Sequence, residues 1–292
     1  MLSSGLIQTL QALQLDPAYV EDLANRTIAE DLAGGHDLTS EATIPIDQTS
    51  IAEFRSRKAG TLAGVAVAAA VLEVCAITNY TILVSDGLHV EADQKILTAR
   101  GSTRNLLLAE RTALNFMGRL SGIASLTQRW VTDVKGTKAQ IRDTRKTTPL
   151  LRELEKFAVR MGGGVNHRMS LSDAALIKDN HIVAAGGARQ ALAAVRKKYP
   201  DIPIEVEVDT LEQLAEIVGA GPDLILLDNM NLEQTRAAVT ITAGRVKLES
   251  SGGLTLENAH AYAMTGVDYL AVGALTHSAP VLDIGLDLKR DK

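Results

Sequence analysis

Apolar positions in the second half of the chain recur as short, near-continuous runs at 140–143, 175–177, 204–208, 224–227, 246–248 and 269–272. Each run ends in charged or glycine-rich residues. In order these are Thr144-Arg145-Lys146, Lys178-Asp179-Asn180-His181, Asp209-Thr210 (with Glu207 inside the run), Asp228-Asn229, Ser250-Ser251-Gly252-Gly253 and Gly273-Ala274. Unbroken apolar runs predict parallel strands buried on both faces, and spacings of about 20 to 35 residues leave room for a helical crossover between them. Six to seven such units build either a barrel or an open doubly wound sheet. An open sheet gathers its chemistry at one switch point, whereas a barrel draws on the carboxyl ends of many strands. Functional residue types close every run here, so the pattern favours a barrel.

The first half has a different rhythm. Helical periodicity covers 6–13 and 20–32, with Asp16-Pro17 as a start signal for the second helix. Residues 50–57 alternate apolar and polar, and Ala59-Gly60 turns that strand into 61–63. A helix-length apolar run follows at 65–77, then short strands at 81–84 and 95–99, punctuated by Ser85-Asp86-Gly87 and Gly101. Strands and helices without a βαβ alternation predict an α+β domain with a small antiparallel sheet. Two long helices are predicted at 105–117 and 120–135, broken near Gly118–Gly122.

Composition narrows the classes. The 292 residues are 46% hydrophobic and 22% charged, ordinary for a globular chain, with only 3% aromatic residues to stack on nucleobases. The net charge of −5 provides no global field for nucleic acid or an anionic membrane, so any basic site must be local. The lone Cys75 sits in an apolar run, which reads as a buried hydrophobe and excludes an intrachain disulfide. Residues 1–5 lack a basic signal-peptide region, and no uncharged apolar stretch reaches membrane-spanning length. The expected location is cytoplasmic.

Candidate chemistry concentrates in D-T-R-K-T-T from Asp143 and R-M-G-G-G-V-N-H-R-M-S-L-S-D from Arg160. Gly162, Gly163 and Gly164 permit close backbone approach, and Arg145, Lys146, Arg160, His167 and Arg168 surround them with positive charge. An anion site is the expectation. Lys178 emerges from a buried strand either as a phosphate or carboxylate ligand or as a Schiff-base nucleophile, the ligand role being preferred. Glu207 and Asp228 close adjacent strands and suit a hydrated Mg²⁺, a clamp on ribose hydroxyls, or an internal ion pair with Lys178 or Arg145. Glu205 and Asp209 share the face of Glu207 by period-2 alternation. Glycine-rich loops after the last two strands, with helix starts at Thr255 and Thr276, occupy the usual phosphate-binding place of a (β/α) barrel. His36, His260 and Trp130 read as structural or surface residues.

The motifs E-R-T-A-L-N (110–115), D-T-R-K-T (143–147), G-G-G-V-N-H-R (162–168), L-I-K-D-N-H (176–181), E-V-E-V (205–208), L-L-D-N-M (226–230), E-S-S-G-G (249–253) and V-G-A-L-T (272–276) occur in this order. Together they resemble the quinolinate phosphoribosyltransferase family over nearly the whole chain. His36 and Ser170 depart from the family pattern, and neither replaces a charged ligand. The resemblance implies an N-terminal α+β sandwich domain at 1–118 and a C-terminal incomplete (β/α) barrel at 119–275, with 276–292 packing back on the first domain. That is a type II phosphoribosyltransferase-like architecture. It implies transfer of phosphoribosyl from phosphoribosyl pyrophosphate to quinolinate with decarboxylation, giving nicotinate mononucleotide, pyrophosphate and CO₂. Lys146, Lys178, Glu207 and Asp228 would be catalytic. Arg111, Thr144, Arg145, Lys146, His167, Arg168, Lys178, Glu207, Asp228, Ser251, Gly252, Gly253 and Gly273 would bind substrates. Glu207 and Asp228 would hold Mg²⁺, directly or through water. A homodimer or higher assembly is implied, in which Arg111 completes the neighbouring site. Rival readings are a nicotinate phosphoribosyltransferase, a Schiff-base aldolase on Lys178, and a non-catalytic sugar-phosphate binder.

Overall fold

Alternating positions between 49 and 102 produce an antiparallel sheet. In the computed structural model, which describes residues 1–291, strands β1 (Thr49–Ser56), β3 (Asn79–Ile82) and β5 (Lys95–Ser102) join β12 (Ile284–Arg290) in the order β12-β1-β5-β3. A separate pair is formed by β2 (Gly60–Thr61) and β4 (His89–Val90). Helices Ser4–Ala12 and Pro17–Leu32 are capped by the side chains of Ser3 and Asp16, which accept from the Leu6 and Ala18 N–H groups. The apolar helix Val65–Val74 is buried at every position from Val65 to Leu72. Its N-terminal N–H groups at Val65 and Ala66 are satisfied by the Asp86 carboxylate, at 2.9 and 3.1 Å.

The predicted break near Gly118–Gly122 does not exist: Thr103–Asp133 is one continuous helix. The glycines serve contact instead. A Cβ at Gly122 would lie 2.0 Å from the Pro280 carbonyl oxygen, and one at Gly118 would lie 2.9 Å from the Val281 side chain. The Leu282 N–H donates to the Gly118 carbonyl at 3.0 Å. Bare helix surface lets the chain approach closely, and the terminal segment then runs into β12, antiparallel to β1 from Ser50 to Ser56. Residue 292 of the 276–292 segment lies outside the described residues.

By contact, the first unit comprises Met1–Leu126, Glu153–Gly163 and the chain from Ala279 onward. The second comprises Thr127–Arg152 and Gly164–Ser278. It holds β6 (Gln140–Arg142), β7 (Ala175–Ile177), β8 (Ile204–Val208), β9 (Leu224–Asp228), β10 (Lys247–Ser251) and β11 (Tyr269–Ala271). The order is β6-β11-β10-β9-β8-β7 and all neighbours are parallel. Each strand from β7 to β10 pairs with its successor, and β11 then pairs with β6. That cyclic order is a barrel's, left open between β6 and β7. At the opening, Val165 makes a single parallel bridge to Arg142.

Helix starts follow the strand ends closely. Thr210, Asn231 and Thr255 cap the helices after β8, β9 and β10 in capping boxes with Gln213, Gln234 and Asn258. The strand expected at 246–248 is instead Lys247–Ser251, because the polar Glu249 and Ser250 are buried inside the barrel. Along β8, period-2 alternation sends Ile204, Val206 and Val208 to one face and Glu205 and Glu207 to the other. Among the described residues, no helix is long and apolar enough to cross a membrane.

Candidate active site

The carboxyl ends of the barrel strands surround a cavity of about 680 Å³. From the end of β6 come Thr144, Arg145 and Lys146, and from the open seam His167 and Arg168. Lys178 follows β7, Glu207 lies on β8, Asp228 closes β9, and Ser251, Gly252 and Gly253 follow from β10. Gly273 comes from the turn after β11. Every expected substrate-binding residue except Arg111 therefore lines one cavity. Arg111 is exposed on the Thr103–Asp133 helix.

The anion cluster needs one correction. Arg145, Lys146, His167 and Arg168 converge, but Arg160 belongs to the first unit, where its guanidinium donates to the Leu13 carbonyl at 3.0 Å. Gly162, Gly163 and Gly164 are not among the lining residues. What delivers His167 and Arg168 is instead the bridge at Val165 together with buried Asp143. Its carboxylate accepts the His167 N–H at 2.8 Å and the Asn166 side-chain amide at 2.5 Å.

Two layers of charge can be separated by depth. In the upper layer the Lys178 ammonium pairs with Glu207 at 2.7 Å, so the ion pair weighed as an alternative from sequence does form. Lys178 is half exposed there, its side chain at 48%. Burial and the neighbouring Asp209 raise the Asp228 carboxyl, against the pull of Lys178, the Asn229 amide and Lys146. Asp209 lies beyond β8 and is exposed, its N–H donated to Gln213 as part of a helix cap.

Beneath lies a second layer of which sequence reasoning gave a role only to His167, as a substrate ligand. Arg142 pairs with fully buried Glu249 at 2.6 Å and stacks over the Tyr269 ring at 4.4 Å. The His167 Nδ1 accepts the Arg168 N–H at 2.7 Å, which leaves Nε2–H to donate to Glu205 at 2.9 Å. Burial pushes the carboxyls of both Glu205 and Glu249 up to about 7, opposed by Arg142 in each case. The Oε1 atoms of Glu205 and Glu249 and the Nε atoms of Arg142, Arg145 and Arg168 have no hydrogen-bond partner among the described residues. His167, Glu205 and Glu249 offer ligand atoms within 4.8 Å of one another. With Arg142 holding the second oxygen of Glu249 and two further arginines lining the cavity, that trio suits an ion network better than a divalent metal. Hard carboxylate oxygens free of arginine pairing are found at Glu207 and Asp228 instead, and these suit hydrated Mg²⁺.

The glycine loops are shaped for close approach. Gly252 and Gly253 have φ of +88° and +63°, and a Cβ on Gly252 would lie 2.1 Å from the Asn229 Oδ1. A Cβ on Gly273 would lie 3.1 Å from the Lys146 side chain and 3.2 Å from the His277 ring. His277, Asn229 and Glu249 also line the cavity and were not singled out from sequence. His277 sits one helical turn past the β11 loop, a place the strand-end rule does not reach. Cys75 is buried, its thiol pushed up to about 11 by burial.

Comparison with known proteins gives a consistent result. Residues 37–121 match the family described as quinolinate phosphoribosyl transferase, N-terminal domain, and residues 123–287 the corresponding C-terminal domain. The chain is 54% identical over 273 residues to the nicotinate-nucleotide pyrophosphorylase [carboxylating] of Mycobacterium leprae, covering 91% of this chain and 96% of that one. It is 39% identical over 293 residues to the Nicotiana tabacum quinolinate phosphoribosyltransferase [decarboxylating] 2b, mitochondrial, covering 93% and 83%. The crystal structure of NadC from Streptococcus pyogenes superposes with a TM-score of 0.91 at 38% identity, covering 95% of this chain and 99% of that one.

Proposed function

From its sequence and fold the chain belongs to the quinolinate phosphoribosyltransferase family, and we infer from that membership the reaction and the residues that perform it. The protein transfers the phosphoribosyl group of phosphoribosyl pyrophosphate to quinolinate with decarboxylation, giving nicotinate mononucleotide, pyrophosphate and CO₂ in NAD biosynthesis. The observation that carries the residue assignment is the lining of the 680 Å³ cavity, where cationic side chains meet glycine loops at the carboxyl ends of the barrel strands.

Quinolinate carries two adjacent carboxylates. Arg145, Arg168 and Lys178 supply charge to pair with them, Arg145 and Arg168 as bidentate forks. His167 is held from below by Glu205 and presents its ring beside them. Lys178, half exposed, exchanges its pair with Glu207 for the substrate carboxylate. Arg111, exposed on its helix, reaches the cavity of a second copy, which makes the working unit a homodimer or a multiple of it. Ser251, Gly252, Gly253 and Gly273 take the 5′-phosphate, with Thr144 and Lys146 on the pyrophosphate side. The Lys146 backbone is fixed there by the Thr276 hydroxyl, which donates to its carbonyl at 2.7 Å.

Glu207 and Asp228 would hold the ribose hydroxyls and Mg²⁺. Burial, and after it the neighbouring Asp209, raise the Asp228 carboxyl, and a cation bound there would favour its charged form. When bound, the ion neutralises charge on the pyrophosphate. With both substrates held, the ring nitrogen forms a bond to C1′ as the C1′–oxygen bond to pyrophosphate breaks, and Lys146 stabilises the departing charge. The ring nitrogen is then cationic, and its charge stabilises the electron pair left on the adjacent ring carbon when the C–carboxylate bond breaks and CO₂ leaves. A proton then replaces CO₂ on the ring carbon. Orientation and fixed charge supply most of the rate. A cytoplasmic location is the reading supported by the single cysteine with its buried thiol.

The test is an assay of the purified protein with phosphoribosyl pyrophosphate, Mg²⁺ and either quinolinate or nicotinate. Nicotinate mononucleotide and CO₂ from quinolinate, with no product from nicotinate, is the expected result. Product from nicotinate alone would move the protein to the neighbouring transferase, and borohydride trapping of a carbonyl compound on Lys178 would move it to an aldolase.

A further inference from the structure

Among the described residues that line the cavity, Asn229 is the one non-glycine with a left-handed backbone, at φ +54°. Asparagine tolerates that region better than other side-chain-bearing residues, and the conformation persists only where its surroundings hold it. Three contacts do so. The backbone N–H of Asn229 donates to the Ser251 carbonyl at 2.8 Å. Its side-chain amide donates to Asp228 Oδ2 at 2.8 Å. Its Oδ1 fills the space above Gly252, so close that a Cβ there would sit 2.1 Å away. One residue thus touches the last residue of β9, the last residue of β10, and the first glycine of the loop that follows. In the β9–β10 register Asp228 stands directly beside Ser251, so the wedge closes a pair already aligned by the sheet.

We propose that Asn229 is a positioning residue that locks the Asp228 carboxylate and the Ser251–Gly253 loop into one unit, setting the distance between the ribose and 5′-phosphate subsites. The inference rests on the reading that Asp228 and this loop bind phosphoribosyl pyrophosphate. Asn229 itself makes no claim on quinolinate, whose carboxylates meet residues from β6, β7 and the open seam. Its effect therefore belongs to one substrate only. The left-handed backbone explains the choice of residue: glycine would allow the turn without bridging, and most other side chains would bridge at the cost of strain.

The experiment measures KM for each substrate and kcat in Asn229→Gly, Asn229→Asp and Asp228→Asn, with thermal melting of each. Asn229→Gly keeps the left-handed turn and removes both side-chain contacts. Asn229→Asp keeps the shape and replaces the amide donor with a charge beside Asp228. Both are expected to raise KM for phosphoribosyl pyrophosphate about tenfold, the effect of losing a bridging hydrogen bond, while KM for quinolinate stays within about twofold. The proposal is overturned if either folded variant leaves KM for phosphoribosyl pyrophosphate within about twofold. It is equally overturned if both KM values rise together with a lowered melting temperature, the pattern of a general structural role. Asp228→Asn separates the two levels: if it too leaves that KM unchanged, the assignment of the site itself fails. If Asp228→Asn weakens that substrate and the Asn229 variants do not, only the wedge fails.

Discussion

Glu207 and Glu205 lie two residues apart on the same face of the same strand, yet they do different work. Glu207 pairs at 2.7 Å with a lysine that is half exposed. The lysine end of that pair is half exposed although Glu207 is at only 11%, so a ligand entering the cavity can reach the ammonium. Glu205 is buried against His167, and its neighbour Glu249 is buried against Arg142 at 2.6 Å. The carboxylates of those pairs are buried, and removing one partner leaves a charge poorly compensated in a low dielectric. On the proposed reading the upper layer is exchangeable and meets substrate. The lower layer is fixed and holds the upper one in place. The exposure of the partner, 48% at Lys178 against 8% at His167, rather than residue type, separates the two glutamates.

Substitutions can break this contrast in graded steps. Arg145→Ala, in the upper layer, is expected to reduce kcat/KM by on the order of 10³-fold in a steady-state assay while the melting temperature holds. Activity within a few-fold of the wild type would remove Arg145 from the site. Arg142→Ala, in the lower layer, strands Glu249 and is expected to destabilise the protein by about 3–5 kcal/mol in denaturant unfolding. A loss below about 1 kcal/mol would show that the lower layer is not fixed by this pair. Glu249→Gln has the smallest and most specific effect. The Glu249 carboxyl titrates at about 7 when folded against an ordinary 4.5, so the folded state keeps a proton that the unfolded state has lost. Wild-type stability from this group therefore falls as pH rises from about 5 to 8, by on the order of 3 kcal/mol, and glutamine removes that slope. Parallel unfolding curves for both proteins across that pH range would contradict the buried, raised carboxyl.

Much of the barrel could be read in the chain because its strands are buried on both faces and so appear as unbroken apolar runs. The expected starts at Ala175, Ile204, Leu224 and Tyr269 are the observed ones. The lower layer escaped for the converse reason. Polar residues inside a strand look like its end, so the expected strand stops at Leu248 and Ser250 falls in the following loop, although Glu249 and Ser250 are both buried in β10. Gly118 and Gly122 misled in a related way: glycine in a helix is a breaker when exposed and a contact surface when another segment lies against it. Asn229 and His277 are invisible to patterning because their roles come from a left-handed turn and from a position one helical turn past a strand end.

The contrast between layers is tested most directly by Lys178→Ala, measured for turnover with quinolinate and for unfolding free energy on the same preparation. Turnover is expected to fall by on the order of 10³-fold with stability within about 1 kcal/mol of the wild type, because the lysine end of the Glu207 pair is half exposed and Lys178 is one of the three cations that meet the two substrate carboxylates. Near-normal turnover, or a loss of stability as large as that of Arg142→Ala, would contradict it.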